Sequence, residues 1–168
     1  MSAWRFEFGF VPSTPVTQRL VLANPPVKLS SLERLKFWHG LPVPESLLES
    51  LNSLLLMPQL LCEAKIRWAR GCDTYVDLFV ERRCMRDIRV TVDLREPHLN
   101  FIADVALVAN QVGWLGITGD GRIFRPSVRR FLAEIHQSPA MRWIRGSMES
   151  LLADAGSMPN PQRGLNIH

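Results

Sequence analysis

Apolar and charged residues alternate with period two along TYVDLFVERRCMRDIRVTVDLR, Thr74 to Arg95, in two arms around a basic turn. Such alternation predicts two half-buried strands. Val76, Leu78 and Val80 on the first arm match Ile88, Val90, Val92 and Leu94 on the second, so the pair reads as an antiparallel hairpin with one apolar face. Keeping the aliphatic side chains together allows only registers whose paired residue numbers sum to an even total. Charge then selects among these registers. Leu78 facing Ile88 sets Asp77 opposite Arg89, worth about 0.2–1 kcal/mol at an exposed sheet position. Val80 facing Ile88 opposes Glu81 to Asp87, and Val80 facing Val90 opposes Asp77 to Asp93. The Asp77–Arg89 register is therefore expected, with Arg82, Arg83 and Cys84 in the loop.

The same reading along the chain predicts further elements. WRFEFGF puts Trp4, Phe6 and Phe8 on one side of a strand, placed at the sheet edge, and VTQRLVLAN is a weaker strand candidate. Ser30 and Glu33 have capping-box spacing ahead of a short helix from Ser31 to His39, stopped by Gly40 and Pro42. Pro44 and Glu45 open a helix to Met57 with Leu47, Leu48, Leu51, Leu54 and Leu55 at helical spacing. EAKIRWAR is a strand with Ala64, Ile66 and Trp68 on one face. Pro97 and His98 start a helix to about Val112 that is apolar nearly all round and so is expected to be deeply buried. GWLGITGDGRIF reads as strand, glycine turn and returning strand. Ser127 opens a helix to His136 with Val128, Phe131, Leu132 and Ile135 inward; Ser138 and Ser147 cap two more, the second ending at Gly156.

These elements predict an α+β domain over residues 1–156, built as two layers: a mostly antiparallel sheet with helices packed on one face. The tail 157–168 has nothing to bury and is expected to be disordered. The second sheet face would display Lys65, Arg67, Tyr75, Asp77, Phe79, Glu81, Arg89, Thr91, Asp93 and Arg95, which helices could not cover without burying charge. Tyr75 and Phe79 among those charges are residue types that anchor interfaces. Tyr75, Asp77, Phe79, Arg89 and Asp93 are therefore the candidate partner-binding residues.

Composition adds little to this picture. An apolar fraction of 46% and a charged fraction of 21% in 168 residues are ordinary for one globular domain. No apolar run nears the roughly 18 residues of a membrane span, and MSAWRFEFGF lacks the pattern of a secretory signal, so the expected compartment is the cytoplasm. Cys62, Cys72 and Cys84 match no zinc spacing and read as reduced, partly buried thiols. The net charge of +4 and pI near 9.4 come from basic residues spread along the chain among acids. The one basic cluster is Arg122, Arg125, Arg129 and Arg130, a nucleic-acid candidate that Arg142 and Arg145 extend.

Catalytic chemistry finds few supports. His39, His98, His136 and His168 have no second ligand at i+3 or i+4, so no metal site is expected. Asp77 with Asp93, or Asp87 with Glu81, would form carboxylate pairs, but neighbouring arginines would hold them ionised and unsuited to general-acid work. Asp104, alone in an apolar helix, calls for an arginine or backbone partner. GITGDG precedes a strand and Pro126, not directly a helix, so it lacks the positive dipole end of a phosphate cradle. No cofactor is implied.

From Val90 to Trp143 the order is strand, helix from Pro97, Gly113-Trp114 entering a strand, a glycine turn, proline, helix, then SPAxRW. This third of the chain resembles small bacterial immunity-type proteins encoded near secreted toxins. The resemblance implies a non-catalytic protein binder whose partner is a toxin or secretion component. It carries over no binding residue, and the basic pI departs from the acidic surface of a nuclease inhibitor. Protein binding through the open sheet face, with a homodimer compatible, is thus the expected function. A nucleic-acid binder or small enzyme using Arg122 to Arg130 is the rival.

Overall fold

The computed structural model of the chain describes residues 4–23, 29–30, 36–54, 58–71, 73–96, 99–146 and 149. The strands are β1 Arg5–Pro12, β2 Gln59–Cys62, β3 Lys65–Ala69, β4 Tyr75–Glu81, β5 Cys84–Asp93, β6 Trp114–Thr118 and β7 Ile123–Phe124. They form one antiparallel sheet in the order β2-β3-β4-β5-β1-β6-β7. With them run α1 Pro15–Leu22, α2 Glu45–Leu54, α3 Leu99–Gln111 and α4 Val128–Gln137, and residues 139–146 are helical. The fold is the expected α+β class.

One sheet face carries Phe6, Phe8 and Phe10 of β1, Val76 and Leu78 of β4, and Ile88, Val90 and Val92 of β5, all buried. Helices α2, α3 and α4 cover it with Leu47, Leu51, Phe101, Ile102, Val105, Phe131 and Ile135. The Phe131 ring lies 4.5 Å from Phe8 and meets Phe124 edge-on at 5.1 Å. A smaller cluster on the opposite face, Val11, Leu115, Ile117 and Ile123, is covered by Leu20 and Val21 of α1 with Leu29 and Phe37. Helix α1 thus adds a local cover at the β6–β7 end of the second face.

Several expectations change. β1 lies between β5 and β6, not at an edge, because alternation reports which face a strand buries and not which neighbours it pairs with. VTQRLVLAN contributes a helix, not a strand. Thr14 caps α1 by accepting from the Thr17 amide at 3.2 Å, Thr17 accepts from the Thr14 amide at 2.7 Å, and Pro15 opens the first turn. β2, unforeseen, forms an edge with all four residues exposed. Helix α3 buries most of its surface but leaves Leu99 and Leu107 about half exposed. In α4, Val128 and Leu132 are 36% exposed while Glu134 is 2% exposed, so the buried stripe is rotated toward Glu134. Ser138 does cap the following helical stretch, accepting from the Met141 amide at 3.1 Å. The start of the short helix expected from Ser31, at residues 31–35, lies outside the described residues, as do residues 55–57, Cys72, Pro97, His98, Ser147 and the tail.

The hairpin register is the expected one: Leu78 faces Ile88 and Asp77 faces Arg89. Its loop is shorter than expected. Cys84 pairs with Glu81, leaving Arg82 and Arg83 as a two-residue turn with φ of 51° and 66°, and Arg86 is the extra residue of a bulge between Met85 and Asp87. Both central residues thus adopt the left-handed conformation that this class of turn demands and that Asn-Gly adopts at least cost. Replacing Arg82 with Asn together with Arg83 with Gly should stabilise the protein by about 1 kcal/mol. Thermal melting should show a Tm higher by about 2–4 °C; an unchanged or lower Tm would refute the turn assignment.

Candidate functional site: the charged sheet face

Alternate residues of β3, β4, β5 and β1 point away from the three covering helices, and strand pairing arranges them in rows. One row runs Arg67, Asp77, Arg89 and a second Lys65, Phe79, Asp87. Tyr75 sits beside Thr91, which faces Glu7, and Asp93 faces Arg5. All five candidate residues therefore share one face.

Asp77 does not bond the arginine opposite it on β5. It receives Arg67 through two bonds, Nε to Oδ1 at 2.6 Å and Nη2 to Oδ2 at 2.8 Å, and Lys65 Nζ at 2.8 Å. Bidentate guanidinium–carboxylate geometry is the stronger arrangement, and with Lys65 it fills the short Asp77 side chain. Arg89 turns instead to Asp87 on its own strand, Nε to Oδ2 at 2.7 Å. Asp93 accepts the Arg95 amide at 2.9 Å and its guanidinium at 2.6 Å, while Arg95 also reaches Asp73 at 2.9 Å and Arg5 bonds Asp73. Glu81 pairs with Arg86, and Asp104 with Arg70 at 3.0 Å. Each of these carboxylates has a cationic partner within bonding distance.

Depth separates the two charges. The Asp77 and Asp87 side chains are 7% and 3% exposed, whereas those of Arg89 and Arg95 are 45% and 51% exposed. Asp77 and Asp87 thus lie against the sheet, and the more exposed Arg89 and Arg95 stand outside them. The rings lie beneath cations. Arg67 stacks 3.6 Å from the centre of Tyr75, Lys65 and Arg89 each approach Phe79 at 5.1 Å, and Arg95 covers Trp4 at 4.7 Å. Tyr75 and Phe79 are consequently half-buried by side chains of this same chain.

The basic cluster is dispersed by a residue that sequence reasoning passed over. Buried Glu134 holds Arg122 at 3.0 Å and Arg130 at 2.6 Å, and Arg122 also meets Asp120 at 3.1 Å. Arg125 and Arg129 remain exposed. The spacing of Arg130 and Glu134, four residues apart on one helix, was the available signal. Cys62 is exposed and Cys84 half-buried, both as free thiols. Among the described residues no cluster of three His, Cys, Asp or Glu could hold a metal ion, and no helix is long and apolar enough to cross a membrane. No protein-family model, curated protein or solved structure matches the chain.

The Arg95 guanidinium, bonded directly to it, holds the Asp93 carboxyl below the usual carboxylate range, against the opposing pull of burial; the Arg95 amide and the charges of Arg95 and Arg5 reinforce the effect. A carboxyl whose folded pKa is depressed stabilises the fold above its unfolded pKa of about 3.9 and loses that contribution as pH falls through the folded value. Urea stability should therefore fall on acidification below about pH 4, with a shallower fall in Asp93→Asn. Identical acid slopes would remove Asp93 from this role. Asp77→Ala, which strands Lys65 and Arg67, should cost about 1–3 kcal/mol because both cations keep partial contact with water. Urea unfolding checks this, and a change within experimental error would show the ion pairs to be inconsequential.

Proposed function

We propose that the protein is a non-catalytic protein-binding domain, an immunity-type or secretion-accessory protein of the bacterial cytoplasm, whose partner docks on the charged sheet face. The observation that carries this reading is the layering: buried Asp77 and Asp87 beneath cations set over aromatic rings, on a part of the sheet that no described helix covers. Guanidinium groups held by carboxylates and set over aromatic rings have lost side-chain freedom before any partner arrives. Arginine and aromatic residues of this kind dominate interface energetics. The outer layer is cationic, so the complementary partner surface is acidic. Such complementarity raises the association rate and makes it sensitive to salt.

Two observations favour this reading over nucleic-acid binding. Single-stranded RNA is read on open sheets by stacking bases on exposed rings, but here cations already occupy the faces of Tyr75 and Phe79. In the basic cluster, Arg122 and Arg130 are committed to Glu134.

Affinity purification from the source bacterium tests the proposal with four baits: the unaltered protein, Arg89→Glu, Arg89→Gln and Arg129→Glu. The expected result is a partner held by the unaltered protein and by Arg129→Glu, but reduced at least tenfold by both Arg89 variants while their thermal melts remain cooperative. Arg89→Gln guards against unfolding, since it places no charge beside buried Asp87. Equal recovery on all baits would overturn the sheet-face assignment. Loss only with Arg129→Glu would favour the basic cluster instead.

A further inference from the structure

A recess of about 730 Å³ among the described residues lies away from the centre of the charged face. Its walls are the first residues of β1, the β6–β7 turn, and the stretch from Gln137 to Trp143. It exists because β6 is short. β6 ends at Thr118 opposite Phe8, so Arg5, Phe6 and Glu7 pair with β5 on one side and have no β6 residue on the other. The direction of the unused backbone groups follows from strand alternation. The Trp4 carbonyl accepts from the Leu94 amide beside β5, and the Ser13 amide donates to the Gly113 carbonyl beside β6. Odd-numbered residues of β1 thus direct their backbone groups to the β6 side, and those of Arg5 open on the recess.

The recess is lined by apolar side chains and by two exposed residues of opposite charge. Phe6 and Ala140 line the recess, and Trp143 stands beside them with 53% of its surface exposed. Glu7 on the β1 wall and Arg142 on the helical wall are both exposed, with no ion-pair partner among the described residues. Deeper in the recess Arg122 lies within ion-pair distance of Asp120 and Glu134, while Glu134 Oε2 accepts no hydrogen bond among the described residues. We infer that this recess receives an extended segment of a partner protein, which adds as a short strand beside Arg5–Glu7 where β6 leaves off. The segment carries a large apolar side chain for Trp143 between an acidic residue facing Arg142 and a basic residue facing Glu7.

Backbone pairing supplies affinity in strand addition, and side-chain pockets supply specificity. Three positions of strand span about 10 Å, a length that a recess of this size accommodates. An exposed tryptophan at its rim is the residue type that anchors such contacts. Arg89 lies outside the recess, so this site and the sheet-face reading stand or fall separately.

The test uses the full chain and a phage-displayed library of random decapeptides. Enriched peptides, made synthetically, should share a large apolar residue flanked by one acid and one base. Their affinity should weaken at least tenfold with Trp143→Ala, and with Glu7→Lys for peptides bearing the base, while Glu45→Gln, exposed on α2 and outside the recess, leaves it unchanged. Hydrogen exchange followed by NMR should show the Arg5 amide slowed at least tenfold by bound peptide. The inference is overturned if no peptide is enriched, if Trp143→Ala leaves binding intact, or if protection appears on β2 instead. It is equally overturned if the Arg5 amide is already protected without peptide. Concentration-independent protection would then show the chain filling its own recess, and concentration-dependent protection a second copy.

Discussion

Insertion of β1 between β5 and β6 is the constraint on which the rest of the sheet depends. β2 to β5 form a continuous meander and β6–β7 a hairpin, and in the strand order β1 is the sole connection between them. Its aromatic row makes the insertion favourable. Phe6, Phe8 and Phe10 are each less than 10% exposed, and Phe8 and Phe10 pack on Phe131 at 4.5 and 6.2 Å while Phe10 meets Trp114 at 5.9 Å. Burying one such ring contributes about 1.5–3 kcal/mol relative to leaving it in water. The N-terminal strand therefore ties helix α4, near the other end of the described chain, to the middle of the sheet. Such non-local pairing closes large loops and slows folding.

The central strand also sets the character of both faces. On the helical side its aromatic residues continue the aliphatic rows of β4 and β5 into one core. On the other side Arg5 and Glu7 extend the charged rows, while Gly9 and Val11 lead into the apolar patch of Leu115, Ile117 and Ile123 that α1 covers. One face thus changes from ionic to apolar across a single strand. No described helix lies over the ionic part, and covering it would strip water from Arg5, Lys65, Arg67, Arg89 and Arg95 at once. Asp77, Asp87 and Asp93 are nonetheless buried, and they are tolerable there because each has a guanidinium, an ammonium or a backbone amide within bonding distance. The recess at the N-terminal end of β1 has the same origin, since a seven-stranded sheet with a five-residue β6 leaves part of its central strand paired on one side only.

The hairpin from Thr74 to Arg95 shows how far local pattern reaches. Parity and charge together specify its register, because a slip of one residue would move every aliphatic side chain to the wrong face. The helix faces of Leu47, Leu51, Phe131 and Ile135 follow from spacing for the same reason. Ion-pair choice does not follow. Asp77 lies opposite Arg89 as the register requires, yet bonds Arg67 and Lys65, because β3 brings a bidentate donor and an ammonium from the other side. Nothing in the hairpin alone announces that second neighbour. The two-residue turn of Arg82 and Arg83 was hidden similarly, since arginine gives no hint of positive φ.

What this sequence determines by itself is which residues share a face, since side-chain periodicity is a property of the local backbone. It thereby specifies an α+β chain, a hairpin with a defined register, and a charged face holding Tyr75, Asp77, Phe79, Arg89 and Asp93 together. Tertiary structure decides the rest: that β1 is central, that the Thr14–Thr17 segment begins a helix, that Glu134 is buried between Arg122 and Arg130, and that cations of this chain cover Tyr75 and Phe79. Apart from the Thr14–Thr17 cap and the Arg130–Glu134 pair, which are local, these depend on contacts between residues distant in the chain. Their energies are set by the neighbours that packing supplies, and local spacing carries no record of those neighbours.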